Sequence, residues 1–258
     1  MRDIGRSDLI ACVVCSRSLS LLVLSLVMML AGCATGPNAN PVDPLEPFNR
    51  GVYKFNDAVD QAVLKPVATA YRDVTPPMVQ RGVGNFFNNL DDAWSLVNNV
   101  LQLKGEAAAN SLFRVGVNTF MGLGGILDVA SEMRIDRYTE DFGQTLGYWG
   151  MGPGPYIVLP LLGPSDLRDA VGLAVDINGY PLTYVDDTTT RNALWILRAV
   201  DQRASLLKVE GILDEAALDK YSFIRDAYLQ RRRSQVYDGD PPDEGQGEDA
   251  APPDTSAK

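Results

Sequence analysis

Hydrophobic residues recur at steps of three and four along most of the chain, which is the spacing of one face of an α-helix. The first such stripe follows the acidic cap and proline of Asp43-Pro44-Leu45-Glu46. It ends at Lys65-Pro66, because proline cannot donate the next helical hydrogen bond. We interpret it as the core-directed face of a helix. Its members are Leu45, Phe48, Val52, Phe55, Val59 and Ala62.

The same spacing predicts further helices, and no stretch alternates with period two for long enough to predict a strand. The sequence therefore predicts an all-α fold. The predicted segments are Val67 to Val74, Met78 to Asn89, a segment capped by Asp91-Asp92 that carries Trp94, Val97 and Leu101, Asp166 to Asp176 capped by Ser165, Thr190 to Leu207, and a C-terminal helix through Tyr221 and Arg231.

The segment from Ser111 to Ala130 is unusually apolar, since its only charged residues are Arg114 and Asp128. A single helix here would be weakened by its glycines, and the Gly-x-Gly-Gly sequence at 122–125 predicts a reversal into a helical hairpin. Two interpretations remain open: the hairpin dips into a membrane, or it is buried within the protein.

A second unusual stretch runs from Asp141 to Asp169. Its glycines and prolines disfavour regular structure, yet its many large apolar residues disfavour a solvent-exposed loop. We expect irregular backbone that is covered by helices or lines a cavity at a membrane. The glycines are at 143, 147, 150, 152, 154 and 163, and the prolines at 153, 155, 160 and 164.

The N-terminus has the pattern of a bacterial lipoprotein signal. Arginines precede an apolar run, Leu19 to Ala31, that is too short to span a bilayer. The run ends at Leu30-Ala31-Gly32-Cys33, which predicts a signal peptide at 1–32 and a lipidated Cys33. Ala34 is not the aspartate that marks inner-membrane retention, so we expect the outer membrane. Residues 33–42 would then be a short lipidated tether to a helical domain at 43–237.

Charge and composition narrow the possible functions. The 258 residues carry a net charge of −10 and no histidine, which removes the commonest general base and metal ligand. The segment 238–258 holds seven acidic residues and one lysine, so it carries six of the ten net negative charges. We expect this tail to be disordered and nucleic acid not to be a partner. Adjacent acids remain as acid/base or cation-ligand candidates, although such pairs are more often capping features. They are Asp91-Asp92, Glu140-Asp141 and Asp186-Asp187.

Two motifs resemble those of the VacJ/MlaA outer-membrane lipoproteins. One is Asp43-Pro44-Leu45-Glu46-Pro47-Phe48-Asn49-Arg50 with Tyr53 to Asn56, and the other is Gly147 to Tyr156 with Leu159-Pro160. The resemblance extends from Asp43 to Tyr237. It implies a ring-like bundle of amphipathic helices embedded in the inner leaflet of the outer membrane. It also implies an amphipathic channel that passes mislocalised phospholipid to a periplasmic carrier protein, an outer-membrane porin as partner, and no cofactor.

No catalytic residue or metal site is expected, because lipid extraction needs no covalent chemistry. Two alternatives stay open: a structural or porin-scaffolding lipoprotein, and a lipid hydrolase that uses a serine or a carboxylate. For the channel, we hypothesise that the hairpin between Ser111 and Ala130 pivots as a gate about its glycines, and that the segment 147–154 forms part of the wall against which it moves. The residues assigned to this channel or gate are Phe55, Gly122, Gly124, Gly125, Gly147, Gly150, Gly152 and Gly154.

Overall fold

The computed structural model describes residue 40, residues 42–216 and residues 218–242, with side chains at 208, 209 and 211–216 left aside. The expected signal peptide, Cys33 and most of the tether and tail therefore lie outside the described residues. The described part of the chain is predominantly helical, so the predicted fold class is confirmed.

The elements follow one another with short connections. A five-residue π-helical segment, Asp60–Leu64, joins the first two helices, and a 3₁₀ turn, Pro181–Tyr184, precedes the longest helix. The helices are α1 Glu46–Val59, α2 Lys65–Val74, α3 Pro77–Leu101, α4 Gly105–Phe120, α5 Val129–Glu132, α6 Phe142–Tyr148, α7 Leu167–Gly179, α8 Thr188–Ala216 and α9 Lys220–Val236, and the strands are β1 Tyr156–Leu159 and β2 Gly163–Asp166.

The sequence predicted that the helix ends at Lys65-Pro66, and this prediction is wrong. The chain passes from α1 through the π-helical segment into α2. The amide of Lys65 donates to the carbonyl of Asp60, five residues earlier. This wider turn gives the ring of Pro66 room that an α-helical turn would not, so the proline sits in a continuous helix.

Helix α3 is one continuous element of 25 residues, so the predicted break at Asp91-Asp92 is wrong. Both aspartates lie within the helix, where each meets an arginine from another element. The chain reverses through residues 102–104, and α4 packs back along α3.

The stretch from Asp141 to Asp169 is more regular than predicted. The side chain of Asp141 accepts a hydrogen bond from the amide of Gln144 at 2.8 Å and so caps α6. Strands β1 and β2 form an antiparallel hairpin, in which Tyr156 pairs with Asp166. Only residues 149–155 and the hairpin turn are irregular, because the glycines and prolines are concentrated there.

The predicted helical hairpin between residues 111 and 130 is also wrong. Helix α4 supplies the first arm, but the second arm is only the four-residue α5. Leu123, Gly124 and Gly125 have consecutive positive φ angles of 56°, 75° and 95°. This left-handed run turns the chain at 121–127 without starting a second long helix.

The elements close into a ring. Helix α2 packs on α8, α8 on α3, α3 on α6, and α6 on α7 and α9. Helix α9 contacts β2, and β1 returns to α1, which completes the circuit. The described residues contain three small separate hydrophobic clusters, centred on Ala68, on Phe87 and on Tyr156, in place of one large core.

The apolar stripe of the first helix does not face the core along its whole length, as had been predicted. Phe48 and Phe55 of the apolar stripe are 45% and 52% exposed, whereas Asn49 is fully buried. Val52 alone among these packs against a cluster. The helix therefore turns Asn49 inward, where the hairpin backbone needs hydrogen-bond partners, and leaves Phe48 and Phe55 exposed.

Candidate functional site

The ring encloses a lumen that consists of two neighbouring cavities of about 610 and 300 Å³. Helices α3, α6, α7, α8 and α9 provide most of the wall, and the hairpin turn closes one side. The two cavities are parts of one space, because they share six lining residues. These are Asp141, Leu162, Leu173, Asp176, Arg231 and Gln235.

A third cavity of about 360 Å³ lies on the other side of the hairpin. Its wall includes Val158, Leu206, Phe223 and Ile224, with charged residues of α1, α8 and α9 around them. Pro164 lines both this cavity and the 300 Å³ part of the lumen. The hairpin is therefore a partition between two cavities, and its position decides how they are separated.

Two asparagines of α1 fix that partition. Asn49 donates to the carbonyl of Tyr156 at 3.0 Å and accepts from the amide of Val158 at 2.9 Å. Asn56 donates to the carbonyl of Leu159 and accepts from the amide of Leu161, at 2.9 and 2.8 Å. A primary amide offers both a donor and an acceptor, so each asparagine binds the free edge of β1 as a neighbouring strand would.

The two sequence motifs therefore meet in space. Asn49 and Asn56 come from the first motif, and the β1 backbone continues the second. Asp43, at the start of the first motif, is also buried, where it accepts from Asn49 at 2.8 Å and from the hydroxyl of Tyr221. The residues of the two motifs thus form hydrogen bonds that join α1, the hairpin and α9.

The lumen wall carries both apolar and charged side chains. Trp94, Leu173, Ile177 and Trp195 supply apolar surface. The charged members are mostly paired, as buried charges must be. They are Asp91, Glu140, Asp141, Asp169, Asp176, Arg198, Arg231 and Arg232.

Helix α8 supplies one of these pairs. The Nη2 atom of Arg198 lies 2.9 Å from a carboxylate oxygen of Asp91, and its guanidinium lies over the ring of Tyr180 at 4.4 Å. The hydroxyl of Tyr180 donates to the same carboxylate at 2.7 Å, and burial raises the pKa of this tyrosine. Arg198 therefore balances Asp91 inside the wall.

A second pair joins the loop before α6 to the turn after α3. Lys104 lies 3.1 Å from Glu140, and Gln102 donates to the other oxygen at 3.0 Å. Burial raises the pKa of Glu140, and these two contacts partly oppose that rise. Both carboxylate oxygens of Glu140 therefore have a partner in this network, which holds the side chain in place.

The three consecutive arginines of α9 have three different environments. Arg232 is buried, forms two hydrogen bonds to Asp141 at 2.6 and 3.0 Å, and lies 2.5 Å from Asp169. Arg233 donates to the carbonyl of Pro242. Arg231 lines the lumen. Arg232 thereby joins α9 to α6 and α7 and closes the ring on that side.

The remaining acid pair is a capping feature. Asp187 accepts from the amide of Thr190 at 2.6 Å at the start of α8, and these contacts lower its pKa. Across the described parts of the chain, no group of three or more acidic residues is placed to hold a metal ion.

The glycines of the hypothetical gate occupy distinct positions in the turn at 121–127. A Cβ atom at Gly122 would lie 2.2 Å from the carbonyl oxygen of Leu127, and one at Gly125 would lie 2.6 Å from the Cβ of Asn89. Gly124 has open space around it, with a φ of 75°. Gly122 and Gly125 are therefore needed because neighbouring atoms leave no room for a Cβ atom, whereas Gly124 is favoured by its positive φ angle.

The predicted wall segment has the same mixture. Gly147 packs against Arg168 and Val236, and Gly154, at a φ of 69°, packs against Leu167. Gly150 and Gly152 lie in open space. Neither this segment nor Phe55 is among the residues that line the three cavities described above.

Large apolar side chains cover much of the outer surface. The turn at 121–127 and its flanks are the extreme case, since Phe120 is 87% exposed. No helix in the described ranges is both long and apolar enough to cross a bilayer. The exposed apolar residues around this turn are Phe120, Met121, Leu123, Ile126 and Leu127.

Comparison with known proteins agrees with the resemblance of the two motifs. A family model described as MlaA lipoprotein matches residues 41–235. The chain belongs to the MlaA lipoprotein family.

Members of the MlaA family from two other bacteria are similar over most of their length. Both bear the name intermembrane phospholipid transport system lipoprotein MlaA. The Escherichia coli K12 relative is 37% identical over 210 residues, which cover 79% of this chain and 82% of the relative. The Haemophilus influenzae relative is 35% identical over 228 residues, which cover 85% and 90% respectively.

A solved structure described as the structural basis for maintenance of bacterial outer membrane lipid asymmetry has a similar fold. The TM-score is 0.66 at 36% identity, and the match covers 75% of this chain and 98% of that chain.

The helical periodicity of this MlaA family member did not identify the residues that hold the hairpin or those that line the lumen. Asn49 and Asn56 are seven residues apart and so lie on one helix face, which was the available signal. Arg198 and Asp176 gave no such signal, because each lies on a different helix, and Arg231 was visible only as one of three adjacent arginines.

Proposed function

We propose that this protein removes mislocalised phospholipid from the outer leaflet of the outer membrane and passes it to a periplasmic carrier protein, which maintains lipid asymmetry. The observation that carries the proposal is the mixed lining of the lumen, which has both apolar and charged walls. Phe48 and Phe55 of α1 are exposed and line none of the three cavities. A lipid needs such a path, in which its head group remains hydrogen-bonded and its chains meet apolar surface.

The exposed apolar surface supports a position in the membrane. Exposing Phe120, Leu123 and their neighbours to water costs roughly 25 cal/mol for each Å² of apolar area, relative to burying that area. A surface of this kind marks a membrane or protein interaction site. We place it in the inner leaflet of the outer membrane, with the lipid on Cys33 as a second anchor and a porin against the ring.

The turn at 121–127 remains our candidate for a gate. Gly124 combines a positive φ with open surroundings, so it is the position at which backbone rotation meets least steric resistance. The E. coli and H. influenzae relatives are named as parts of an intermembrane phospholipid transport system, which supports a role in phospholipid transport for this protein.

The deciding experiment measures outer-leaflet phospholipid in a strain from which this gene is deleted. We expect phospholipid to accumulate in the outer leaflet and to return to its normal level when the gene is restored. An unchanged level would favour the scaffolding alternative. Release of fatty acid from labelled phospholipid by the purified protein would favour the hydrolase alternative.

A further inference from the structure

The charges on the lumen wall do not cancel completely. Five carboxylates and three arginines line the two connected cavities. Asp91 pairs with Arg198, and Glu140 pairs with Lys104. Two further carboxylates, Asp141 before α6 and Asp169 in α7, share Arg232.

One carboxylate has no basic partner. Asp176, on α7, makes no ion pair with any residue that the structure describes. Its Oδ1 atom accepts from the indole of Trp94 at 2.7 Å and from the amide of Phe142 at 2.8 Å. Its Oδ2 atom accepts no hydrogen bond from the described residues. Burial raises the pKa of Asp176, as expected for a carboxylate without a neutralising partner.

One guanidinium is likewise unpaired. Arg231, on α9, forms neither an ion pair nor a hydrogen bond within the described ranges, and its side chain is exposed. Both Arg231 and Asp176 line each of the two cavities, so both border the region where the cavities meet. The lumen therefore presents one uncompensated positive group and one uncompensated negative group to the same space.

We propose that Arg231 and Asp176 form a binding site for a zwitterionic phospholipid head group, with the phosphate at Arg231 and the ammonium at Asp176. This inference rests on the proposed transport function and adds a head-group preference to it. A guanidinium binds phosphate oxygens through several N–H donors. An ammonium would satisfy the free Oδ2 atom and favour the ionised form of Asp176.

The surrounding wall favours the same class of lipid. Trp94 lines the lumen beside Asp176, to which its indole donates a hydrogen bond. Carboxylates outnumber arginines among the lining residues, so a lipid with net negative charge meets an unfavourable field that a zwitterionic lipid does not. Leu173 and Ile177 provide apolar surface next to this site for the acyl chains.

The test compares two lipids with identical chains and different head groups. Brominated-chain phosphatidylethanolamine and phosphatidylglycerol are titrated into the purified full-length protein in detergent, and binding is followed by quenching of tryptophan fluorescence. We expect phosphatidylethanolamine to bind about fivefold to tenfold more tightly. Equal affinities would overturn the inference and leave the proposed function standing, whereas failure to bind either lipid would overturn both.

Two substitutions separate the roles of the charges. Arg231→Gln should weaken both lipids by about fivefold, because both contain the phosphate. Asp176→Asn should weaken phosphatidylethanolamine alone and bring the two affinities together. The asparagine oxygen can keep the contacts with Trp94 and Phe142, and a far-UV circular dichroism melt checks folding. Arg72→Gln, the matched control outside these cavities, should leave both affinities unchanged.

A charge reversal keeps the test decisive if Asp176→Asn is unstable. Arg231→Glu adds a carboxylate at an exposed position, so it should weaken phosphatidylglycerol more than phosphatidylethanolamine. Equal losses for the two lipids in every variant would overturn the assignment.

Soluble competitors distinguish a lipid head group from a simple anion. Glycerophosphoethanolamine should displace the brominated phosphatidylethanolamine at concentrations where inorganic phosphate does not. Equal displacement by inorganic phosphate would show a site for phosphate alone and would overturn the zwitterion assignment.

Discussion

Replacing Arg114 by methionine should destabilise the protein, because this arginine is the centre of a buried polar cluster beneath the turn at 121–127. Its side chain is 3% exposed. It lies 3.0 Å from Asp92 and 3.1 Å from Asp128, and it donates to Ser131 at 3.3 Å and to the carbonyl of Ile135 at 2.8 Å. Methionine fills similar volume but can satisfy none of these acceptors.

The expected loss of unfolding free energy depends on which buried carboxylates lose their basic partner in Arg114→Met. Removing one partner of a buried ion pair typically costs about 3 to 5 kcal/mol of unfolding free energy. Asp92 keeps Arg137 at 2.5 Å, and Arg137 is partly exposed, so Asp92 does not become an isolated buried charge. We therefore expect the lower end of that range, about 3 kcal/mol.

The pH dependence provides an independent check through Asp128. Burial alone would raise the pKa of Asp128, but hydrogen bonds from Ser131 and Asn118 and the charge of Arg114 lower it below its ordinary value. A lowered pKa in the folded state stabilises the protein above the unfolded-state pKa, and this contribution is lost as the pH falls through the folded-state value. Arg114→Met removes one cause of the lowering. The difference between wild type and variant should therefore narrow on acidification.

Urea unfolding in detergent, followed by far-UV circular dichroism at neutral pH and near the ordinary pKa of aspartate, measures both effects. Arg72→Met is the matched control, since Arg72 pairs with Asp73 at the surface and such a pair contributes roughly 1 kcal/mol or less. A loss below that of the control, or a difference that widens on acidification, would refute the reasoning.

Four further outcomes are expected. Cys33→Ser should accumulate as unprocessed precursor in mass spectrometry, and an unmodified but correctly cleaved Cys33 in the wild type would contradict this. Asn49→Ala should lower the unfolding free energy by roughly 3 kcal/mol in urea, because it leaves buried β1 backbone groups without their partner and removes one of the donors to Asp43. Gly124→Ala should cost about 1 to 2 kcal/mol at its positive φ, yet fold and change the outer-leaflet phospholipid level; normal transport would remove support for the gate. Truncation after Pro242 should leave the melting temperature unchanged, and a drop of several degrees would show that the acidic tail packs on the ring.

The sequence by itself determined the helical class and the family. Helical periodicity and capping residues are local properties, so they identify helices without any knowledge of their neighbours. The two motifs also identified the family, which the comparisons confirm. Two predicted helix boundaries were wrong because the structure overrides the local rule: a π-helical turn accommodates Pro66, and arginines from other elements pair with Asp91 and Asp92 within a helix.

The direction that each helix faces was decided only by the tertiary structure. Periodicity shows that Phe48 and Phe55 share a face with Val52, but it does not show whether that face meets a core or a membrane. In a ring that encloses a lumen the usual arrangement changes, so Asn49, which lies beside this stripe on α1, is buried while Phe48 and Phe55 are exposed.

The candidate head-group site depends on tertiary structure for the same reason. Arg231 was visible in the sequence as one of three adjacent arginines, and nothing local distinguished it from Arg232. Packing gave Arg232 two carboxylates and left Arg231 in the lumen. Asp176 lies on another helix, and the packing of the described residues likewise gives it no basic partner. Pairing of charges is a property of three-dimensional proximity, so which charges remain unpaired, and therefore free for a ligand, cannot be deduced from their order along the chain.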